Sequence, residues 1–207
     1  MLVIIDYGVG NVRSVTNAFR YIGSDITVSC DPAVIAKAHG LILPGVGASG
    51  YAMQKVAPIA DCIKEQAAAG KPLLGICVGF QLLFEESYEM GTHQCLGLVK
   101  GKVLPIPTDL DLTIPHMGWN YVTFADGMRL FDSLGEGKHF AFANSFYAQV
   151  DDPDAKVATT EYGIQLTGAV EKGNIYGCQF HPEKSSNDGL QVLKNFVAIC
   201  HEELKPC

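Results

Sequence analysis

The sequence predicts an α/β sandwich: a mixed, mainly parallel sheet with helices on both faces, in one domain spanning residues 1–207. Three observations point there. Hydrophobic residues make up 48% of the 207 residues and charged residues 18%, enough apolar mass for a sizeable core. Up to about residue 85, short apolar runs alternate with amphipathic stretches, the pattern of βα units around a parallel sheet. After Glu89 the texture changes to short β-like runs split by Gly, Pro and Asp, which reads as antiparallel additions.

In chain order, Leu2 to Ile5 is a four-residue apolar run closed by Asp6, short enough for a buried strand. Val12, Val15, Ala18, Phe19 and Ile22 recur at helical spacing, with Asn11 as N-cap and Gly23 at C′. Ile26 to Ser29 predicts a second strand, and Asp31 with Pro32 opens a short helix as N-cap and first-turn proline. Gly40 to Leu43 predicts a third strand, followed by a Gly-rich loop from Pro44 to Gly50. Ile59 to Ala69 predicts a helix ended by Gly70; Leu73 to Ile76 a fourth strand; and Val78 to about Glu86 a further helix. In the second half the β-like runs are Leu98 to Leu104, Trp119 to Phe124, Phe140 to Phe142, Phe146 to Val150, Val157 to Glu161 and Ile175 to Phe180. Leu190, Leu193, Phe196, Val197 and Cys200 give a closing amphipathic helix, followed by a charged C-terminus.

Composition excludes several classes of function. The net charge of −7 lacks the basic footprint that nucleic-acid phosphates select for, so no nucleic-acid partner is expected. No apolar run approaches the roughly 18 residues a bilayer requires, and Met1 to Gly10 carries no basic start, so a cytoplasmic, membrane-free protein is expected. The seven cysteines, at 30, 62, 77, 95, 178, 200 and 207, include no C-x-x-C pair, and the six histidines are dispersed. Neither a disulfide framework, a metal nor a cofactor is expected. Cys30, Cys62, Cys178 and Cys200 read as small buried apolar residues.

Cys77 reads differently. Gly75, Ile76, Cys77, Val78 and Gly79 form G-x-C-x-G between a predicted strand and a predicted helix, the setting of a nucleophile elbow. A nucleophile on so sharp a turn has crowded neighbours, so the positions two before and two after must be very small. The start of the following helix adds a positive dipole end that favours thiolate. A thiolate nucleophile needs a proton shuttle and an orienting group, and His181 and Glu183 follow the predicted strand Ile175 to Phe180. Read as extended chain, residues two apart face one side, with Pro182 holding the chain open. The loop after the third strand adds a backbone N–H that, with that of Val78, would make two donors for an oxyanion. No Gly-Lys-Ser/Thr follows the loop, which weakens a phosphate-binding reading.

The elbow, continuing into Phe80, Gln81, Leu82 and Leu83, together with His181, Pro182 and Glu183, resembles the Cys-His-Glu triad of class I glutamine amidotransferases. Asp6, Tyr7, Gly8, Gly10 and Asn11, then Leu43 to Gly47, then Pro115, His116, Met117, Gly118, Trp119 and Asn120, are similar to the branch of that class serving histidine biosynthesis. The resemblance covers essentially the whole chain and implies a flavodoxin-like three-layer sandwich. It implies that L-glutamine is hydrolysed through a thioester on Cys77, with His181 as proton shuttle and Glu183 as its orienting group. It further implies that ammonia passes to a (β/α)₈-barrel cyclase subunit in a heterodimer. Gln81, Glu89 and Ser145 match substrate-holding positions; Val46 and Gly47, with Val78, match the oxyanion hole, Val46 lying where a peptide reorients; and Trp119, Asn120 and Lys184 match the partner interface. The chain departs from the family where His-Ser-Tyr is usual, having Asn144, Ser145 and Phe146. Main-chain contacts there do not depend on side-chain identity.

Two other readings remain at this point: the same glutaminase feeding a different synthase, as in surface-sugar biosynthesis, and a flavodoxin-like redox sensor with Cys77 on its elbow. A sensor has no need of the His181 and Glu183 shuttle.

Overall fold

The computed structural model describes residues 1–109 and 112–202. The charged segment expected after the closing helix, with Cys207, lies outside them. Early elements follow from local chemistry. Strand β1 (Leu2–Ile5) is buried throughout and leads to α1 (Val12–Tyr21), whose Asn11 cap accepts the Ser14 N–H. The helix ends in a Schellman arrangement: the amide of Ser24 donates to the carbonyl of Phe19, and that of Gly23, at φ +80°, to the carbonyl of Arg20. Strand β2 (Ile26–Ser29) and helix α2 (Pro32–Lys37) follow, with the Asp31 carboxylate accepting the Ala33 N–H at 2.8 Å. Strand β3 (Gly40–Gly45) runs two residues past its expected end. Ser49, within the expected loop, begins α3 (Ser49–Val56), a helix the sequence reading missed. A 3₁₀ turn, Ala57–Ile59, joins it to α4 (Ala60–Ala68), and β4 (Leu73–Cys77) follows.

The helix expected from Val78 to Glu86 is a single turn, α5 (Val78–Gln81). Tertiary hydrogen bonds stop it: the amides of Leu96, Gly97, and both Leu98 and Val99 donate to the carbonyls of Leu82, Phe84 and Leu83 respectively. The same bonds delay the strand expected from Leu98. Short strands β5 (Glu86–Ser87) and β6 (His93–Gln94) precede β7 (Gly101–Pro105), β8 (His116–Thr123), β9 (Gly137–Asn144) and β10 (Phe146–Val150). Then come β11 (Lys156–Tyr162), β12 (Ile164–Lys172), β13 (Ile175–Cys178) and α6 (Ser186–Glu202). Strand β12 was not foreseen because Gly168 interrupts its apolar run. Gly168 is the extra residue of a bulge: Ala158 pairs with Ala169, and Thr159 with Thr167.

Nine strands form one sheet in the order β2-β1-β3-β4-β13-β12-β11-β8-β9. The pairs from β2 to β13 are parallel, and those from β13 to β9 antiparallel. Strands β1, β3, β4 and β13 are buried at every residue, as strands covered on both faces must be. Helix α1 lies against α6, and α2 against α4. A second sheet, β10-β7-β5-β6, stands beside the first. The chain crosses between the two sheets at Ser145, which separates β9 from β10. The buried apolar residues form a continuous cluster from Leu2 to Cys200. Cys178 and Cys200 are buried, but Cys62 is half-buried and Cys30, at the end of edge strand β2, is exposed. An edge strand has no neighbour to cover its far side, which is why the expectation fails at Cys30.

Candidate active site

The site lies where β3, β4 and β13 end. Register sets it: Gly45 pairs with Cys77, and Ile76 with Cys178, so Gln179 comes level with Cys77 and His181 lies just beyond. These are the C-terminal ends of adjacent parallel strands, where open α/β sheets place their ligands.

Cys77 is buried, with φ +55° and ψ −110°, a strained conformation for a residue with a side chain. The glycines around it leave no room for a Cβ. One at Gly79 would overlap the carbonyl oxygen of Leu43, and one at Gly75 would lie 2.6 Å from the Gly79 oxygen. The turn therefore packs directly on β3. Because α5 is only one turn, the dipole near the sulfur is shorter than expected, and the nearby positive charge comes from a side chain.

That side chain is His181. Its Nδ1 lies 2.9 Å from Oε1 of Glu183, and both side chains are almost wholly buried. Burial alone lowers the imidazole pKa, but hydrogen bonding to Cys77 and Glu183, with the charges of both, pushes it up to about 10. His181 is thus biased toward its protonated form where it lies between the Cys77 sulfur and the Glu183 side chain. The expected extended path from His181 to Glu183 is not what brings them together. Pro182–Lys184 is a 3₁₀ turn, closed by the amide of Lys184 donating to the His181 carbonyl. The His181 backbone is tied to β9: its N–H donates to the Ala141 carbonyl, and Ser185 Oγ donates to the His181 carbonyl while accepting the Ala141 N–H. Ser185, fully buried, was not singled out from sequence.

A cavity of about 420 Å³ opens onto the sulfur. Its lining includes Val46, Gly47, Cys77, Val78, Gln81, Glu89, Ser145, His181 and Lys184, so most of the residues expected at the site converge here. Both Gln81 amide protons are committed inward, to the Phe146 carbonyl at 3.3 Å and to Gln179 Oε1 at 3.0 Å, leaving the Gln81 oxygen as an acceptor. Gln179, also missed from sequence, donates to Cys77 Sγ at 3.9 Å. The Asn144 amide donates to the same Phe146 carbonyl at 3.0 Å, so in this segment the organising group belongs to the main chain. Tyr7 donates to the Pro44 carbonyl at 2.6 Å; burial, and then the charge at Cys77, push its phenol well above the usual value. Val46 and Gly47, the latter at φ +82°, lead on from Gly45 and stand beside Val78.

The expected interface residues separate. Trp119 is 53% exposed on a face of β8 shared with Met117 and Tyr121, also exposed. Asn120, one residue on, points the other way and donates to the Glu161 carbonyl. Lys184 is exposed at the cavity rim. Among the described residues no group of three or more His, Cys, Asp or Glu side chains is placed to hold a metal ion, and no helix is long and apolar enough to cross a membrane.

A family model, glutamine amidotransferase class-I, matches residues 3–200. The chain belongs to the class I glutamine amidotransferases. Curated relatives of this amidotransferase include a Methanothermobacter thermautotrophicus protein, 45% identical over 199 residues and covering 96% of this chain and 98% of that one. Another, from Lacticaseibacillus casei, is 46% identical over 205 residues, covering 98% of each. Both are named imidazole glycerol phosphate synthase subunit HisH. Among solved structures the amidotransferase resembles PurLQS from Thermotoga maritima (TM-score 0.75, 21% identity, covering 96% of this chain and 97% of that one). It also resembles a second structure, described as a glutamine amidotransferase (TM-score 0.75, 18% identity, covering 96% and 98%). At these identities the structural likeness speaks for the fold, which is the mixed, largely parallel α/β fold expected.

Proposed function

We propose that this chain is the glutaminase subunit of an imidazole glycerol phosphate synthase, acting as one domain in the cytoplasm and delivering ammonia to a HisF cyclase subunit. The observation that carries the chemistry is the buried line of Cys77, His181 and Glu183 facing a cavity sized for an amino acid. The Cys77 thiolate attacks the γ-amide carbon of glutamine. The oxyanion that forms is held by main-chain N–H groups of the Val46–Gly47 segment and Val78. His181 gives its proton to the amide nitrogen, the C–N bond breaks, ammonia leaves, and a glutamyl thioester remains. Neutral His181 then takes a proton from water, whose oxygen attacks the thioester; glutamate leaves and the thiolate is restored. Glu183 keeps the imidazole aimed throughout. Gln81, through its free oxygen, and Glu89 hold the N–H groups of the substrate, with main-chain groups around Ser145 at its carboxylate.

The partner reading rests on the HisH relatives and on one surface. Met117, Trp119 and Tyr121 make an exposed stripe on β8, and Met117 at its start pairs with Ala143 of β9, which also lines the cavity. A barrel docked there, with Lys184 at its rim, would receive ammonia without releasing it to water. Asn120 would act from the reverse face, through Glu161. Hydroxylamine tests the covalent step: with glutamine it yields γ-glutamyl hydroxamate from the wild-type chain mixed with the cyclase, and none from Cys77→Ser. Equal hydroxamate from that variant would remove Cys77 from the chemistry.

A further inference from the structure

The segment from Val46 to Ala48 has its ends tied by side chains outside the Cys-His-Glu triad. At one end Tyr7 holds the Pro44 carbonyl. At the other, Ser49 is held two ways: its N–H donates to Glu89 Oε2 at 2.6 Å and its hydroxyl bonds the Ser87 hydroxyl at 2.6 Å, which in turn accepts the Glu89 N–H at 3.3 Å. Ser49 and Ser87 are both fully buried. Ala48, the residue capping α3, contributes no side-chain cap, so Glu89 supplies the carboxylate for that helix end from forty residues away. Glu89 also lines the cavity above Cys77.

We propose that Ser49 and Ser87 are positioning residues for glutamine hydrolysis, forming with Glu89 a latch that couples occupancy of the substrate cavity to the setting of the Val46–Ala48 strap. This rests on the glutaminase reading. A carboxylate has two oxygens, and Oε2 is taken by Ser49. An N–H donor of glutamine at the other oxygen fixes the Glu89 side chain, which in turn fixes the first residue of α3 and the strap attached to it. Such coupling is reciprocal: whatever tightens the strap also tightens the substrate. Ser49 and Ser87 share one buried bond, so removing either hydroxyl breaks it, and removing Ser87 also takes the acceptor from the Glu89 N–H.

Hydrogen exchange across residues 44–52 and steady-state kinetics of the chain mixed with its cyclase test this together. Ser87→Ala is expected to speed exchange at the Ser49 amide about tenfold and to lower kcat/KM about tenfold. Alkylation of Cys77 by iodoacetamide, which enters by the same cavity but forms no oxyanion for the strap to stabilise, should stay unchanged. Ser49→Ala should act in the same direction, and the double variant should lose no more than Ser87→Ala alone. In a Cys77→Ala background, glutamine should slow exchange at Ser49, and fail to do so once Ser87→Ala is added. Unchanged exchange in Ser87→Ala, or fully additive losses in the double variant, would overturn the latch even in an active enzyme. Wild-type chain that shows the exchange effects but hydrolyses no glutamine would instead overturn the glutaminase reading.

Discussion

Gly45 and Cys77 are register partners across β3 and β4, so the strap and the elbow leave the sheet at the same level. This brings Val46, just past β3, level with Val78 at the start of α5, the relationship on which the proposed oxyanion hole rests. It also explains why the neighbouring positions are so small: a Cβ at Gly45 would sit 2.6 Å from the Gly79 nitrogen and 2.7 Å from the Tyr7 hydroxyl.

Gly79→Ala should therefore be among the most damaging single-methyl additions in the chain. The new Cβ meets the Leu43 carbonyl inside a rigid parallel sheet, where neither strand has room to move. We expect a loss on the order of 3 kcal/mol or failure to fold, measured by urea denaturation. Wild-type stability in this variant would contradict the close packing of elbow on strand.

Removing the sulfur should change the histidine. Hydrogen bonding and charge from Cys77 oppose the effect of burial on His181, so Cys77→Ala should bring its titration down from about 10. Imidazole resonances followed by NMR across pH would report this. An unmoved titration would mean that Glu183 alone holds the proton.

Glu183→Gln should lower turnover less than His181→Ala. In the proposed mechanism Glu183 acts one step from the reacting atoms, through its 2.9 Å contact to Nδ1, while His181 moves the proton itself. Comparison of kcat for the two variants decides it, and the opposite ranking would exchange their roles.

His116 lends the fold an acid sensitivity away from the chemistry. Its ring is stacked between Phe142, at 4.6 Å, and Tyr162, at 4.0 Å, and neither nitrogen has a partner. Burial lowers its pKa to about 4. Between about pH 6.5 and 4 the unfolded chain binds the proton and the folded chain does not, so this residue costs stability as pH falls through that window. The contribution is on the order of 3 kcal/mol. His116→Phe should remove that part of the acid loss, seen as a flatter dependence of the urea midpoint on pH. An unchanged slope would place the acid sensitivity elsewhere.

The parallel half was legible because its signals are local: caps at Asn11 and Asp31, apolar strands, and the G-x-C-x-G elbow. What escaped depended on distant chain. The helix after Cys77 stops where the amides of residues 96–99 capture its carbonyls. Helix α3 opens against a carboxylate from Glu89, and β12 hides behind a bulge glycine. The triad residues stand out by type and spacing, yet the way His181 meets Glu183, through a 3₁₀ turn, is set by Pro182 and by the ties to β9. Gln179 and Ser185 have no sequence signal of their own; only register and burial reveal them.

Glutamate release from glutamine tests the central claim most directly, measured for the purified chain alone and mixed with a HisF cyclase carrying its ribonucleotide ligand. With the strap around Gly47, at φ +82°, as the proposed gate, we expect little activity alone, strong stimulation in the loaded mixture, and none from Cys77→Ser in either. A folded chain that releases no glutamate in the loaded mixture, or a Cys77→Ser variant that still does, would contradict the account.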